Sequence, residues 1–274
     1  MGKTAMREGR HRLQCSRSSC ENAPLFASGF SFDDYTYARY SHMRMLNGNY
    51  IVAANGSPLD IHFCDLKAYQ DAFASAFIDQ NLPFSGLNIL EVGGGHSRVL
   101  PLFSTRHECW NIDKFDGLGS GPRNVPTNIN YRLVQDYMGS GNPGLPNAYF
   151  DAVFSISALE HVPEEIEIFK NILQDIDRVL KPGGYSFHLF DIVLRSNKTV
   201  WMNAFVKYIY SNITTLNTFI PLDKVDYMDD IFIMSRPAYY KMWFSITKKP
   251  YNEFGKPSSI CVFWKKPIQQ LMGD

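Results

Sequence analysis

The sequence has no apolar run of the roughly 18 residues that a bilayer-spanning helix needs, and no apolar stretch follows its N-terminus as in a secretory signal. It therefore predicts no membrane span. An excess of charge of either sign is also missing, since 27 Lys and Arg residues balance 27 Asp and Glu residues. Because nucleic acid attracts basic proteins, we expect no nucleic-acid partner.

Cysteine is scarce, with five residues that show no metal-ligand spacing. Cys15 and Cys20 lie in a polar segment, and the odd number argues against a full disulfide framework. We therefore predict no metal site. Reduced thiols are typical of the cytoplasm, so cysteine usage favours a cytoplasmic protein.

The first 22 residues contain four arginines and few acids. Such a composition cannot bury apolar surface, so we predict a disordered tail over residues 1–25. A transit peptide is the alternative interpretation. Residues 26–274 are long enough for one large domain.

Short apolar segments alternate with helical ones from residue 86 onward. Apolar stripes at helical spacing predict a long helix over residues 163–179. The alternation implies parallel βαβ units in a doubly wound, Rossmann-like α/β sheet. A final strand over Ser259–Lys265 is predicted at or near a sheet edge, as an antiparallel strand. The other predicted strands cover residues 87–92, 108–112, 129–134, 150–156 and 185–192.

Two aromatic segments flank the predicted core of residues 86–192. The first, residues 30–80, includes a helix predicted from apolar spacing that begins near Leu66. The second, residues 195–235, includes one helix predicted around Phe205. These segments either cap a substrate pocket, fill the core or form an oligomer interface, since aromatic stripes usually mark packing.

The first predicted strand ends in Glu91 and is followed by three glycines, residues 93–95, whereas Asp113 ends the second strand. Ligands of doubly wound sheets bind beyond the carboxyl ends of the strands. Glycines let a ligand approach the backbone, and a carboxylate can accept two hydrogen bonds from a ribose diol. A dinucleotide site favours a third glycine at position 98. Because this position is Arg98, an NAD-dependent oxidoreductase is disfavoured.

Six ordered motifs within about residues 87–192 resemble the class I S-adenosylmethionine-dependent methyltransferases, especially the broad group that acts on small molecules. The resemblance implies S-adenosylmethionine as the cofactor and methyl transfer as the reaction. The motifs are Ile89-Leu90-Glu91-Val92-Gly93-Gly94-Gly95, Asn111-Ile112-Asp113, Gln135-Asp136, Phe150-Asp151-Ala152-Val153, Leu159-Glu160-His161-Val162 and Arg178-Val179-Leu180-Lys181-Pro182-Gly183-Gly184.

The resemblance also implies roles for the matching positions. The glycine motif would face the methionine part of the cofactor, and the second motif would hold the ribose hydroxyls. Asp136 of the third motif, with the amide of Tyr137, would contact adenine, and Phe154–Ser157 at the end of the fourth strand would line the floor beside the sulfonium. The implied cofactor contacts are Glu91, Gly93, Gly94, Gly95, Asp113, Asp136, Tyr137 and Ser155.

One segment departs from the family pattern. The family usually has a helix between the second and third strands, whereas residues 115–128 are rich in Gly and Pro. We therefore expect no good helix there.

His161 is the candidate catalytic base. It follows the fourth strand near the expected methyl-donor pocket, and the pKa of an imidazole suits proton removal near neutral pH. The alternative is a capping or packing histidine. Asp191, at the end of the fifth strand, is the second candidate base, and His188 within that strand is interpreted as a core residue.

The acceptor is left open by the sequence. Our first hypothesis is O-methylation of a small-molecule or sugar-like acceptor, because a hydroxyl needs a base such as His161. The alternatives are a methyltransferase for protein or RNA, and a non-catalytic scaffold that binds the cofactor. An oligomer is possible on either hypothesis.

Overall fold

A computed structural model describes residues 34–42, 66–196, 199–212 and 230–268. The described strands are β1 (Asp34–Tyr37), β2 (Asn88–Val92), β3 (Glu108–Ile112), β4 (Arg132–Val134), β5 (Phe150–Ile156), β6 (Leu180–Leu194), β7 (Val200–Trp201) and β8 (Lys256–Lys265).

One sheet contains these strands in the order β1-β8-β6-β5-β2-β3-β4, and β7 pairs with the end of β6. The strands from β2 to β6 run parallel to their neighbours, while β8 runs antiparallel to β6. The short β1 pairs antiparallel with the outer side of β8. The mostly parallel, Rossmann-like sheet predicted from the alternation of strands and helices is thus confirmed.

Helices cover both faces of the sheet. The described helices are α1 (Leu66–Asn81), α2 (Leu100–Phe103), α3 (Ile166–Val179), α4 (Ala204–Asn212), α5 (Arg236–Met242), α6 (Phe244–Thr247) and α7 (Tyr251–Phe254). α1 and α2 pack on one face with the segment from α5 to α7, and α3 and α4 pack on the other. Because both faces are covered, the central strands are nearly continuous apolar runs.

Several strand boundaries differ from the predicted ones, among them those of β4 and β6. β4 begins at Arg132 rather than at residue 129, because only Arg132–Val134 pair with β3. β6 begins at Leu180, which pairs with Phe150 before a register shift brings Tyr185 opposite Ala152. The Pro-Gly-Gly segment therefore lies inside a bulged strand that follows α3 directly.

Residues 115–128, all of which the structure describes, contain one short 3-10 turn (Leu118–Ser120) and no α-helix. Gly117 and Gly119 have positive φ values of 81° and 59°, which disfavour continued helical structure. The prediction that this connection lacks a helix is confirmed, and it leaves a loop above the carboxyl ends of β2 and β3.

The segment predicted as a cap over residues 195–235 is described at residues 195–196, 199–212 and 230–235. Its helix begins at Ala204 and packs against α3, where the rings of Phe169 and Phe205 are 5.0 Å apart. This helix is therefore part of the core. The predicted tail lies outside the described residues, and no described helix has the length and apolar character needed to cross a bilayer.

We expect Phe187→Ala to lower the free energy of unfolding by about 3–5 kcal/mol, the usual cost of truncating a buried Phe. Phe187 is fully buried and stacks between Phe77 at 4.2 Å and Phe154 at 5.2 Å. Urea denaturation measures the change. Phe84→Ala is the matched control, because Phe84 is 73% exposed, and a similar loss in both variants would contradict this packing.

Candidate active site

A cavity of about 1260 Å³ opens where the parallel strands end. Its lining includes the glycine turn after β2, Asp113 after β3, and Ser157 after β5. Residues of α1 and of the segment from α5 to α7 close its other side. This is the place at which doubly wound sheets bind ligands.

The glycine turn lines the cavity with bare backbone. Gly93 has a φ of 66°, and a Cβ on Gly94 would lie 2.6 Å from Cδ of Glu91, so a side chain does not fit there. The Gly94 N–H donates to Oδ1 of Asn111 at 3.1 Å, and the Asn111 amide donates to the Gly95 carbonyl at 2.9 Å. Asn111 thus fixes the turn from behind. The sequence alone assigned Asn111 no role of its own, although its position two residues before Asp113 indicates that it lies near the same site.

Glu91 does not line the cavity but lies beneath the glycine turn, with 3% of its surface exposed. Its carboxylate accepts a hydrogen bond from the Ser97 hydroxyl. Burial raises the pKa of Glu91 to about 7. The neighbouring Arg98, which occupies the third-glycine position of a dinucleotide site, forms an ion pair with Asp71 of α1 at 2.5 Å.

Asp113 is half-buried in the cavity wall. Its Oδ2 accepts the Gly95 N–H at 2.8 Å, and its Oδ1 accepts the Phe115 N–H at 2.7 Å. These bonds fix the carboxylate at the end of β3. Each oxygen can accept a second hydrogen bond, so the group can still receive two hydroxyl donors.

Asp136 and Tyr137 also line the cavity. Asp136 accepts hydrogen bonds from the Tyr137 N–H at 2.8 Å, the Ser140 hydroxyl at 3.0 Å and the Asn142 amide at 2.7 Å. Burial acts to raise the pKa of Asp136, but these hydrogen bonds outweigh it and lower the pKa. The carboxylate therefore stabilises its own loop. It also accepts the hydrogen bond of the Tyr137 N–H, the group that the resemblance assigns to adenine.

Ser155 does not line the cavity, which corrects its interpretation as a cofactor contact. It is completely buried and shares a hydrogen bond of 2.8 Å with Nδ1 of His188, its partner in the register between β5 and β6. The Ser186 hydroxyl lies 2.8 Å from Nε2 of the same ring, and burial lowers the pKa of His188 to about 3. His188 is thus a neutral core residue. Ser157, two positions after Ser155, lines the cavity instead.

The two candidate bases, His161 and Asp191, line the same end of the cavity. Asp191 accepts hydrogen bonds from the Gln70 amide at 2.9 Å and the Ser157 hydroxyl at 3.0 Å. Burial raises the pKa of Asp191. Gln70 of α1, to which the sequence assigned no role, and Ser157, the last residue of the predicted floor, therefore hold this carboxylate in place.

His161 ends a 3-10 turn (Leu159–His161) and packs against the loop after β3. A Cβ on Gly119 would lie 2.1 Å from Cδ2 of His161, so the absence of a side chain at this position makes the contact possible. Partial burial lowers the pKa of His161, and Lys67 lowers it further, although Asp191 acts in the opposite direction. The imidazole is consequently neutral at pH 7 and able to accept a proton.

Glu160 is the residue that the sequence analysis missed, although it lies inside the fifth motif. One of its carboxylate oxygens, Oε1, accepts the Asp191 N–H at 3.3 Å. The other, Oε2, is buried and has no hydrogen-bond partner among the described residues. Burial and the nearby Asp191 carboxylate raise the pKa of Glu160 to about 8. The usable signal was an acid next to the candidate base, directly after a central strand.

An aromatic wall lines part of the cavity. Trp201 comes from β7, whereas Trp243 and Phe254 belong to the region from α5 to α7. Among the described residues of the predicted 195–235 cap beyond β6, Trp201 is the one in the cavity lining. Two of these three aromatic side chains, Trp243 and Phe254, therefore come from residues 243–254, to which the sequence assigned no role. No group of three or more His, Cys, Asp or Glu residues in the described ranges is placed to hold a metal ion.

Comparison with known proteins connects this cavity to a family. Residues 90–188 match a family model described as a methyltransferase domain. A search of curated protein sequences finds no match.

Solved structures with a similar fold include YcgJ from Bacillus subtilis, at 14% identity and a TM-score of 0.42, covering 73% of this chain and 98% of that one. A SAM-dependent methyltransferase from Archaeoglobus fulgidus is 16% identical with a TM-score of 0.39, covering 72% and 94%. A Burkholderia thailandensis 1,6-didemethyltoxoflavin N1-methyltransferase is 15% identical with a TM-score of 0.42, covering 72% and 78%.

The family match runs from β2 to β6 and so includes the glycine turn, Asp113 and the turn that contains His161. The match covers the ordered motifs on which the resemblance to methyltransferases, rather than to NAD-dependent oxidoreductases, depends. Residues 90–188 are thus similar to a methyltransferase domain, which is consistent with a class I methyltransferase that uses S-adenosylmethionine.

Proposed function

We propose that the protein methylates a hydroxyl oxygen of a small-molecule acceptor. The observation that carries this proposal is a single cavity that contains both the glycine turn with Asp113 and the pair of candidate bases, His161 and Asp191. Its volume of about 1260 Å³ exceeds the range of about 300–1,000 Å³ usual for one ligand. There is room for a nucleoside cofactor and a small acceptor side by side.

The residues around the glycine turn fit S-adenosylmethionine. Gly93, Gly94 and Gly95 line the cavity and carry no side chain, so a ligand can approach their backbone closely. Each carboxylate oxygen of Asp113 accepts one backbone N–H and can accept one more hydrogen bond, so the side chain can still bind two ribose hydroxyls. Glu91 supports this turn from below, and Asp136 shapes the loop at the other side of the cavity.

The bound cofactor supplies a methyl carbon already activated by its sulfonium. The chain has to align the acceptor oxygen with that carbon, which can provide much of the acceleration. His161 is neutral and lies in the cavity wall, so it can take the proton that the hydroxyl loses. Asp191, held by Gln70 and Ser157, is the second candidate for this proton.

A small-molecule acceptor is favoured over a protein or RNA acceptor by the aromatic side chains that line the cavity, which are typical of small-molecule sites. The balanced charge of the chain also gives no attraction to RNA. We keep a cytoplasmic location as part of the proposal, since Cys109 and Cys261 are free thiols.

An acceptor screen with isotopically labelled S-adenosylmethionine tests the proposal. Small hydroxyl-bearing metabolites, a protein extract and total RNA are offered separately, and mass analysis locates the transferred methyl group. A methyl ether on a small molecule supports the proposal. Label that enters only protein or RNA, or only nitrogen, contradicts it.

We expect Asp113→Asn to weaken binding of S-adenosylhomocysteine about tenfold or more. The variant keeps the size of the side chain but loses the charge, and a hydrogen bond to a charged acceptor is worth about 1.5–3 kcal/mol. Isothermal calorimetry measures the affinity. Asp177→Asn, on the exposed side of α3, is the matched control, and equal affinities for the two variants would remove Asp113 from the ribose site.

We expect His161→Ala to slow methyl transfer to a hydroxyl acceptor by about 10²–10⁴, the range for a lost general base. Affinity for the cofactor should not change. In the unmodified protein the rate should fall as the imidazole becomes protonated, below its pKa, which lies under the usual value of about 6.5.

Single-turnover methyl transfer against pH checks this expectation, and added imidazole should restore part of the rate in the variant. A purely structural role for His161 predicts a lower melting temperature, an unchanged pH profile and no rescue by imidazole. That combination would transfer the role of base to Asp191.

A further inference from the structure

Large apolar side chains at the opening of the cavity are exposed to solvent. Leu118, Trp201 and Ile246 line the cavity, and 60%, 44% and 65% of their respective surfaces are exposed. They come from three separate elements, namely the loop after β3, β7 and α6. Single exposed apolar residues are ordinary, but a group of them around one opening is typical of an interaction site.

These exposed residues border the end of the cavity that contains the candidate bases. β7 and the beginning of β8 both pair with the last residues of β6, just after Asp191. The segment from α5 to α7 leads directly into β8, so it lies beside the same strand end. On the other side, Leu118 precedes Gly119, which packs against the ring of His161. The opening is therefore where an acceptor would enter.

The apolar surface continues from the opening across α5 and α6. Tyr240, Met242 and Phe244 are exposed, and the rings of Tyr240 and Phe244 are 5.3 Å apart. Trp243, between them in the chain, lines the cavity. One short stretch of chain thus contributes both to the cavity lining and to the exposed surface beside it.

The same stretch is basic, although the charges of the whole chain balance. Residues 231–252 contain four Lys and Arg residues and no Asp or Glu. Lys248 and Lys249 are exposed, and neither forms an ion pair with any residue that the structure describes. The Lys248 N–H donates to the Phe244 carbonyl at 3.0 Å, and the Tyr239 hydroxyl donates to the Lys249 carbonyl at 2.7 Å. These bonds hold both lysines next to the exposed rings.

We name this region the mouth surface. It consists of four large apolar residues and two lysines, namely Tyr240, Met242, Phe244, Ile246, Lys248 and Lys249.

Of three partners for an apolar and basic surface, two fit the mouth surface poorly. In a symmetric dimer of this chain the lysines of the two copies would be brought together, and like charges repel across an interface. RNA would stack its bases on aromatic rings, but Met242 and Ile246 offer no ring and would stay in water. An anionic membrane suits all six residues, because apolar side chains enter the boundary between headgroups and acyl chains while lysines bind the headgroups.

We propose that the mouth surface docks on the anionic surface of a lipid membrane. The protein then lies on the membrane without crossing it, and the cavity opens at the interface. The acceptor is accordingly a hydroxyl-bearing amphiphile that enters from this interface. The choice of acceptor rests on the proposed O-methylation, whereas the docking does not.

Sedimentation with lipid vesicles tests the docking without any need for cofactor or turnover. The unmodified protein is mixed with vesicles of phosphatidylcholine alone, or of phosphatidylcholine with about one third of the anionic lipid phosphatidylserine. We expect binding to the anionic vesicles to be about tenfold stronger or more. Added sodium chloride should weaken it, because salt screens the attraction.

Removing the two lysines tests the basic half of the mouth surface. We expect Lys248→Gln combined with Lys249→Gln to weaken binding to the anionic vesicles about 25-fold, since each lysine near an anionic membrane contributes about fivefold. The matched control combines Lys170→Gln with Lys207→Gln. It removes the same charge from exposed positions of α3 and α4, on the other face of the sheet, and should bind as the unmodified protein does.

Phe244→Ser tests the apolar half and should weaken binding about fivefold, because part of a phenyl ring no longer leaves water. Phe84→Ser is its control, since this exposed residue precedes β2 at the opposite edge of the sheet. Circular dichroism verifies the fold of each variant. If Phe244→Ser does not fold, Met242→Ser repeats the test at another exposed position.

Equal binding to both kinds of vesicle, binding to neither, or the same loss in both lysine variants would overturn the docking. A dimer that Phe244→Ser dissociates, without vesicle binding, would assign the mouth surface to a second copy. RNA binding that depends on Lys248 and Lys249, without vesicle binding, would assign it to nucleic acid.

A total lipid extract, added in the anionic vesicles to the acceptor screen, tests the choice of acceptor. A labelled methyl ether on a lipid hydroxyl is the expected product. A methyl ether found only on water-soluble metabolites would overturn the amphiphilic acceptor and leave the proposed function in place. The lack of any methyl ether would instead count against the proposed function.

Discussion

The cavity depends on how the side chains at the end of β3 satisfy the backbone of the glycine turn. Asn111 and Asp113 accept the N–H groups of Gly94 and Gly95, and Asn111 returns a bond to the Gly95 carbonyl. Without these partners the turn would leave backbone polar groups exposed to competing water or buried and unpaired. The bonds hold a stretch without side chains in one conformation, so its backbone surface is available to a ligand.

Acidic groups around the cavity have two different electrostatic roles. Asp136 collects three hydrogen bonds, and its pKa is lowered, so it is an ionised structural group. Glu91 is buried, Glu160 and Asp191 are partly buried, and desolvation raises the pKa values of all three. Groups whose pKa values are shifted by burial and by a nearby charge are common at functional sites. The acids with raised pKa values lie close to the proposed reaction centre.

Much of the site could be predicted from the sequence because its motifs are local. A strand followed by glycines, and an aspartate at the next strand end, specify neighbouring positions without knowledge of the rest of the chain. Ser155 shows the limit of this approach. Ser155 lies inside β5 and contacts His188, whereas Ser157 follows the last residue of that strand, has a φ of 45° and lines the cavity. The residue at which the strand ends therefore decides which of the two serines is in the cavity.

The sequence by itself determined the parallel sheet, the helix-free connection after β3 and the place of the glycine turn beside Asp113, since apolar periodicity and glycine conformation act over a few residues. Only the tertiary structure decided that Glu160 lies beside Asp191, 31 residues away, and that residues 243–254 supply most of the aromatic wall. These contacts depend on strand register and on the packing of distant helices. No local pattern encodes them, because the free energy that fixes them comes from burial between segments that are far apart in the chain.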